Sequence, residues 1–150
     1  MFNNLTIGTT FGAVSGILTA IGLILSSYGE HINIHILIIM LLSLSFSNGI
    51  SDAIGIYYSS YVNDKDYNKA VREAFKTLIV NALIPFTFAV IFIFIKNVKY
   101  GSYINIILAF ALFMYVNMKV FTEPAKRVFN LVIFVLIIVG NYIIGKSKFD

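Results

Sequence analysis

Five runs of about twenty apolar residues, parted by short polar breaks, leave this chain of 150 residues few ways to fold. A run of that length is enough to cross the roughly 30 Å hydrocarbon layer of a bilayer as a helix. The runs cover residues 5–27, 33–60, 77–95, 102–120 and 127–145. They are too uniformly apolar for the alternating strands of a membrane barrel, and a backbone in lipid has to satisfy its own hydrogen bonds, so each is expected to be helical. Charged residues make up 12% of the chain, about half the share a water-soluble domain carries, which excludes an ordinary soluble globule. The expectation is an all-α integral membrane protein, multi-pass in a lipid bilayer, with residues 1–150 forming one domain of five transmembrane helices.

The breaks are Ser26 to His31, Asn63 to Lys76, Lys96 to Gly101 and Thr122 to Pro124, and all but the second are short, which favours antiparallel neighbours. The first run opens without a basic segment and carries Gly8, Gly12, Gly16 and Gly22, so it reads as a retained helix and not a cleaved secretory signal. Of the eleven Lys and Arg, seven (Lys65, Lys69, Arg72, Lys76, Lys119, Lys126 and Arg127) follow the second and fourth runs, and four (Lys96, Lys99, Lys146 and Lys148) lie on the opposite side. That bias places the N-terminus and the charged break in the cytoplasm and the C-terminus across the membrane. In the second break Tyr67, Ala70, Val71, Ala74 and Phe75 recur at helical spacing among Asp66, Lys69, Arg72, Glu73 and Lys76. This predicts a short amphipathic cytoplasmic segment at about 62–76, lying at headgroup level and leading into the third span.

The basic residues never form a continuous stripe, which argues against a nucleic-acid partner. The chain has no Cys, which removes disulfides, thiolate metal sites and cysteine nucleophiles. It has no Walker A loop, no HExxH or GxSxG motif and no arranged set of Ser, His and Asp, so neither an enzyme nor a permanently bound cofactor is expected.

Polar groups inside the runs are the places to look for function. Gly8, Gly12, Gly16 and Ala20 stand at four-residue spacing and draw one line of small side chains along the first helix. Such a line lets another helix approach closely, either within one bundle or as a dimer seam. In the second run Ser45, Asn48 and Asp52 share a face, and Asp52 is the sole acid inside a run so drawn. A mid-membrane Asp costs roughly 2.5–3.5 kcal/mol to insert, so it is expected to face a polar interior, a water path or a partner, and is a candidate functional site. The alternative is that the long second run carries Asp52 up to the cytoplasmic headgroups, hydrated or paired with Lys or Arg of the next break. Pro85 removes a backbone donor and frees the carbonyl of Asn81 one turn earlier, predicting a kink and an available oxygen. Asn105, Asn117, Asn130 and Asn141 add amides, and Met114 and Met118, one turn apart, offer either soft metal ligands or packing. His31 and His35 share a face at the start of the second run and form a weak metal or titration signal.

Four stretches together resemble the vacuolar iron transporter family: Ile7 to Gly16 (IGTTFGAVSG), Asn48 to Ser60 (NGISDAIGIYYSS), Leu83 to Phe86 (LIPF) and Gly140 to Lys146 (GNYIIGK). The resemblance implies a homodimer of five-helix chains, an ion path along the dimer interface and exchange of transition-metal ions against protons. The chain departs from the family at its ligands. Phe11-Gly12 stands where the family has Asp-Gly, and Ser51-Asp52 with Gly55-Ile56-Tyr57 where it has Ser-Met and Gly-Glu-Tyr. The family's Glu- and Met-rich cytoplasmic helices shrink here to Asp64 to Lys76.

The expected function is therefore a transporter-like membrane protein moving a divalent cation, Fe²⁺ or Mn²⁺, with exchange against protons as what the family resemblance implies. Asp52 is the expected ligand and proton acceptor, with Asn48, Ser45 and Met114 or Met118 beside it. A carboxylate with amide oxygens suits Mn²⁺ better than a softer ion. The competing expectation is a membrane scaffold that keeps the fold without the metal ligands. A passive pore would need a continuous polar lining.

Overall fold

The computed structural model describes residues 5–27 and 32–147. Among them the chain forms five α-helices and no strand: α1 (Ile7–Ser27), α2 (Ile34–Asp64), α3 (Tyr67–Ile95), α4 (Val98–Val120) and α5 (Pro124–Lys146). All five are long and apolar enough to cross a membrane, so the chain is an all-α, multi-pass membrane protein. The helix ends follow from local chemistry. Asn33, Asp66 and Asn97 stand in extended backbone at the N-caps of α2, α3 and α4, and their side chains accept from the amides of His35, Lys69 and Tyr100. Thr6 and Thr9 exchange bonds ahead of α1: the Thr6 amide donates to Thr9 Oγ1 at 2.8 Å and the Thr9 amide to Thr6 Oγ1 at 3.4 Å. Pro124 opens α5, where its missing N–H has no cost. Lys65 and Lys96 close α2 and α3 in the left-handed region, at φ 55° and 52°. Arg127 caps α4 by donating from Nε to the Phe121 carbonyl at 2.6 Å.

The helix α1 is the axis, packed against each of the other four. Its partners α3 and α5 run parallel to it, because Gly8, Gly12 and Gly16 meet Glu73, Thr77 and Asn81 in ascending order, and Gly22 and Gly145 pair with Asn141 and Leu25 in the same sense. Apolar side chains gain nothing from leaving lipid for each other, so close backbone approach has to hold such helices together. An added Cβ on Gly8 would stand 2.2 Å from the Glu73 carbonyl oxygen, and one on Gly12 2.8 Å from that of Thr77. The glycine line is thus occupied within the chain, against α3, while Ala20 is buried in the core. At the α3–α4 crossing Gly101 leaves room for the Phe92 ring, and between α4 and α5 Phe113 stacks on Phe134 with centroids 4.1 Å apart.

Residues 62–76 form no separate element. Val62 to Asp64 end α2, and from Tyr67 onward the backbone is continuous with α3. Here the large apolar residues Tyr67, Val71 and Phe75 point outward, while Ala70, Glu73 and Thr77 are buried. Small and polar groups thus pack helix on helix, as they do in membrane bundles, and the large apolar ones face outward.

Candidate functional site

Asp52, Asn48 and Asn81 come together where α1, α2 and α3 meet. The Asp52 carboxylate accepts from the Ser15 hydroxyl and, at 2.6 Å, from Asn81 Nδ2. Asn48 Nδ2 donates to Asn81 Oδ1 at 3.2 Å and reaches Ser15 Oγ and Thr19 Oγ1, each at 3.4 Å. Asn81 is fully buried and Asp52 and Asn48 are half-buried. Antiparallel α2 and α3 supply Asp52, Asn48 and Asn81. Parallel α1 brings Ser15 and Thr19 alongside because Gly12 and Gly16 let its backbone lie against α3 at Thr77 and Asn81.

No ion pair to Asp52 forms among the described residues. Neither Lys65 nor Arg72, the cations a headgroup-level position would call on, pairs with Asp52; Arg72 lies 4.0 Å from Glu73, and Lys69 pairs with Asp64 at 2.9 Å. Asp52 lies twelve residues before the end of α2, and Asn81 stands midway along α3. The hydrogen bonds to the Asp52 carboxylate thus come from neutral donors, and no cation among the described residues offsets its charge.

The other residues singled out in the sequence fall differently. Ser45 is buried, but its hydroxyl donates to the Ala82 carbonyl at 2.6 Å, outside the cluster. This bond satisfies a backbone oxygen in the turn that Pro85 loosens, as hydroxyls commonly do beside a membrane proline. The Asn81 carbonyl, the oxygen that Pro85 frees, faces α1: a Cβ on Gly16 would lie 3.0 Å from it, so it is not turned to a ligand cavity. Met114 and Met118 sit on α4, which packs on α1, α3 and α5; Met118 is 57% exposed, so the pair does not converge on Asp52. His35 is exposed and His31 lies outside the described residues, as does Glu30. Among the described residues no three of His, Cys, Asp and Glu cluster as metal ligands.

A second buried carboxylate, Glu73, is absent from the sequence reading of the spans. It is 4% exposed, accepts from the Gly8 amide at 2.9 Å and pairs with Lys76 Nζ at 2.8 Å, while Lys76 also reaches Thr6 Oγ1 at 3.3 Å. The acid thereby caps the positive end of the α1 dipole. Its signal in the sequence is the spacing of Ala70, Glu73, Thr77 and Asn81, a small and polar face that complements the glycines of α1. No family model, no curated protein and no solved structure matches this chain.

Proposed function

We propose that this protein is a membrane transporter for a divalent, oxygen-preferring cation, with Asp52 as the ligand that carries charge. The observation that carries this reading is the Asp52 carboxylate held inside the bundle by Ser15 and Asn81 with no cationic partner among the described residues. The ligand atoms brought together there are all oxygen: the carboxylate, Asn81 Oδ1 and the hydroxyls of Ser15 and Thr19. Without the methionines this set favours Mn²⁺ over Fe²⁺ as cargo. The depth agrees, for α1 is about 32 Å long at 1.5 Å per residue and Ser15 lies about 12 Å from its start. In this reading a proton replaces the departing cation on Asp52, which makes the transport an exchange. The excess of Lys and Arg beside Asp64 to Lys76 supports a cytoplasmic position for that turn. Assembly as a homodimer belongs to the proposal on the family resemblance alone.

A second reading, a scaffold without transport, is favoured by the way the cluster's groups bond one another across three helices, since such bonds serve as glue in membranes. Asp52→Asn separates the two. It keeps an oxygen that accepts from Ser15 and Asn81 but removes the charge. In reconstituted vesicles the transporter reading expects Mn²⁺ uptake to fall at least about tenfold, the equivalent of 1.4 kcal/mol, in a variant that is still folded. Uptake equal to that of the unmodified protein removes Asp52 from the mechanism.

A further inference from the structure

We propose that the groove bounded by α1, α2 and α5 is a hydrated, cation-preferring vestibule that leads along α1 to the Asp52 cluster. The groove is shallow and open to the surface, with a volume of about 690 Å³. Its polar lining is Thr19 and Ser26 of α1, Ser43 and Ser47 of α2 and Asn141 of α5, set among aliphatic side chains. On α1 the residues Ser15, Thr19, Gly22 and Ser26 follow one another at four, three and four positions, so a single helix face joins the groove to Asp52. Thr19 belongs to both: it lines the groove and accepts from Asn48 at 3.4 Å.

The bonding of these groups gives the groove its sign. Thr19 Oγ1 donates to the Ser15 carbonyl at 2.7 Å, Ser26 Oγ to Leu23 at 3.0 Å and Ser47 Oγ to Ser43 at 2.9 Å. Asn141 gives an amide proton to Ile137 at 2.9 Å, and its Oδ1 is the atom nearest the position of a Cβ on Gly22, at 3.3 Å. The protons of Thr19, Ser26 and Ser47 are thus spent on the helices' own carbonyls, and their lone pairs remain for whatever enters. With more open acceptors than open donors, such a lining favours water and cations over anions. The cargo rests on the transport reading; hydration and charge preference are tested apart from it.

The chain has no cysteine, so thiols introduced one at a time react without background. Ser26→Cys, Ser43→Cys and Ser47→Cys are compared with Phe46→Cys, whose site is 72% exposed on the outer side of α2, in lipid nanodiscs that leave both membrane faces accessible. Each is treated with a cationic and an anionic methanethiosulfonate of equal size, with rates normalised to free cysteine. The groove thiols are expected to react at least about tenfold faster than the Phe46→Cys thiol, because a thiol has to be hydrated to ionise, and faster with the cationic reagent than with the anionic one. Groove rates no higher than that of Phe46→Cys mean that lipid fills the groove and overturn the vestibule. Equal rates with the two reagents overturn its cation preference. Rapid cationic labelling beside unchanged uptake by Asp52→Asn sustains the vestibule and removes the transport role of Asp52.

Discussion

Asn81 is the residue on which the polar cluster depends, since its amide donates to Asp52 and accepts from Asn48 while its backbone lies against Gly16. A hydrogen bond between membrane helices is worth about 0.6 kcal/mol on average, and one to a charged group about 1.5–3 kcal/mol. Asn81→Leu removes one of each kind and leaves Asp52 with Ser15 alone, so a loss of about 1–3 kcal/mol is expected in equilibrium unfolding from mixed micelles. A loss below a few tenths would show that Asp52 does not lean on Asn81. Asn48, Asp52 and Asn81 were legible in the sequence because polar and ionisable groups are costly inside apolar runs. Ser15 and Thr19 were not, for a lone hydroxyl is tolerated in any span, where it can bond its own helix as Thr19 does, and only the α1–α2 packing brings Ser15 to Asp52. Glu73 was read as part of a charged break, since its partner Gly8 lies 65 residues away and only the α1–α3 packing brings the two together.

At the scale of elements the glycines divide into those that hold helices together and those that do not. Gly8→Ala would drive a methyl to 2.2 Å from the Glu73 carbonyl and Gly145→Ala one to 2.5 Å from that of Leu25, whereas Gly55 and Gly140 have nothing within 4 Å of an added Cβ. The first pair should cost about 1–3 kcal/mol as α1 is pushed from α3 or α5. In the second pair the gain in helix propensity, up to about 1 kcal/mol, is unopposed, so Gly55→Ala should be neutral or stabilising. Thermal unfolding in detergent orders the four variants, and equal melting points would refute the close-packed seam. The spans themselves were readable from run length, but the split of residues 62–76 was not. Helical periodicity there marked the large apolar face correctly as a face and left open that it turns outward, since the same pattern serves a headgroup-lying helix and the lipid side of a span.

The whole molecule is a bundle organised on α1, with small and polar groups turned inward and large apolar residues turned to lipid. Its polar interior is sparse: one carboxylate at mid-length with hydroxyls and amides about it, and a second, Glu73, paired with Lys76 at the end of the bundle where α1 begins. Among the described residues a cation drawn to mid-length therefore meets one carboxylate that has no cationic partner, Asp52. The most direct measurement is the thermal stability of the purified protein and of Asp52→Asn across a titration of Mn²⁺, Fe²⁺, Mg²⁺ and Ca²⁺. A cation at about a hundredfold over its Kd stabilises the folded state by about 2.7 kcal/mol, which for a chain of this size is a rise of several degrees. The expected result is that rise with Mn²⁺ in the unmodified protein and none in Asp52→Asn; the same shift in both, or no shift with any of the four ions, would contradict a cation site at Asp52.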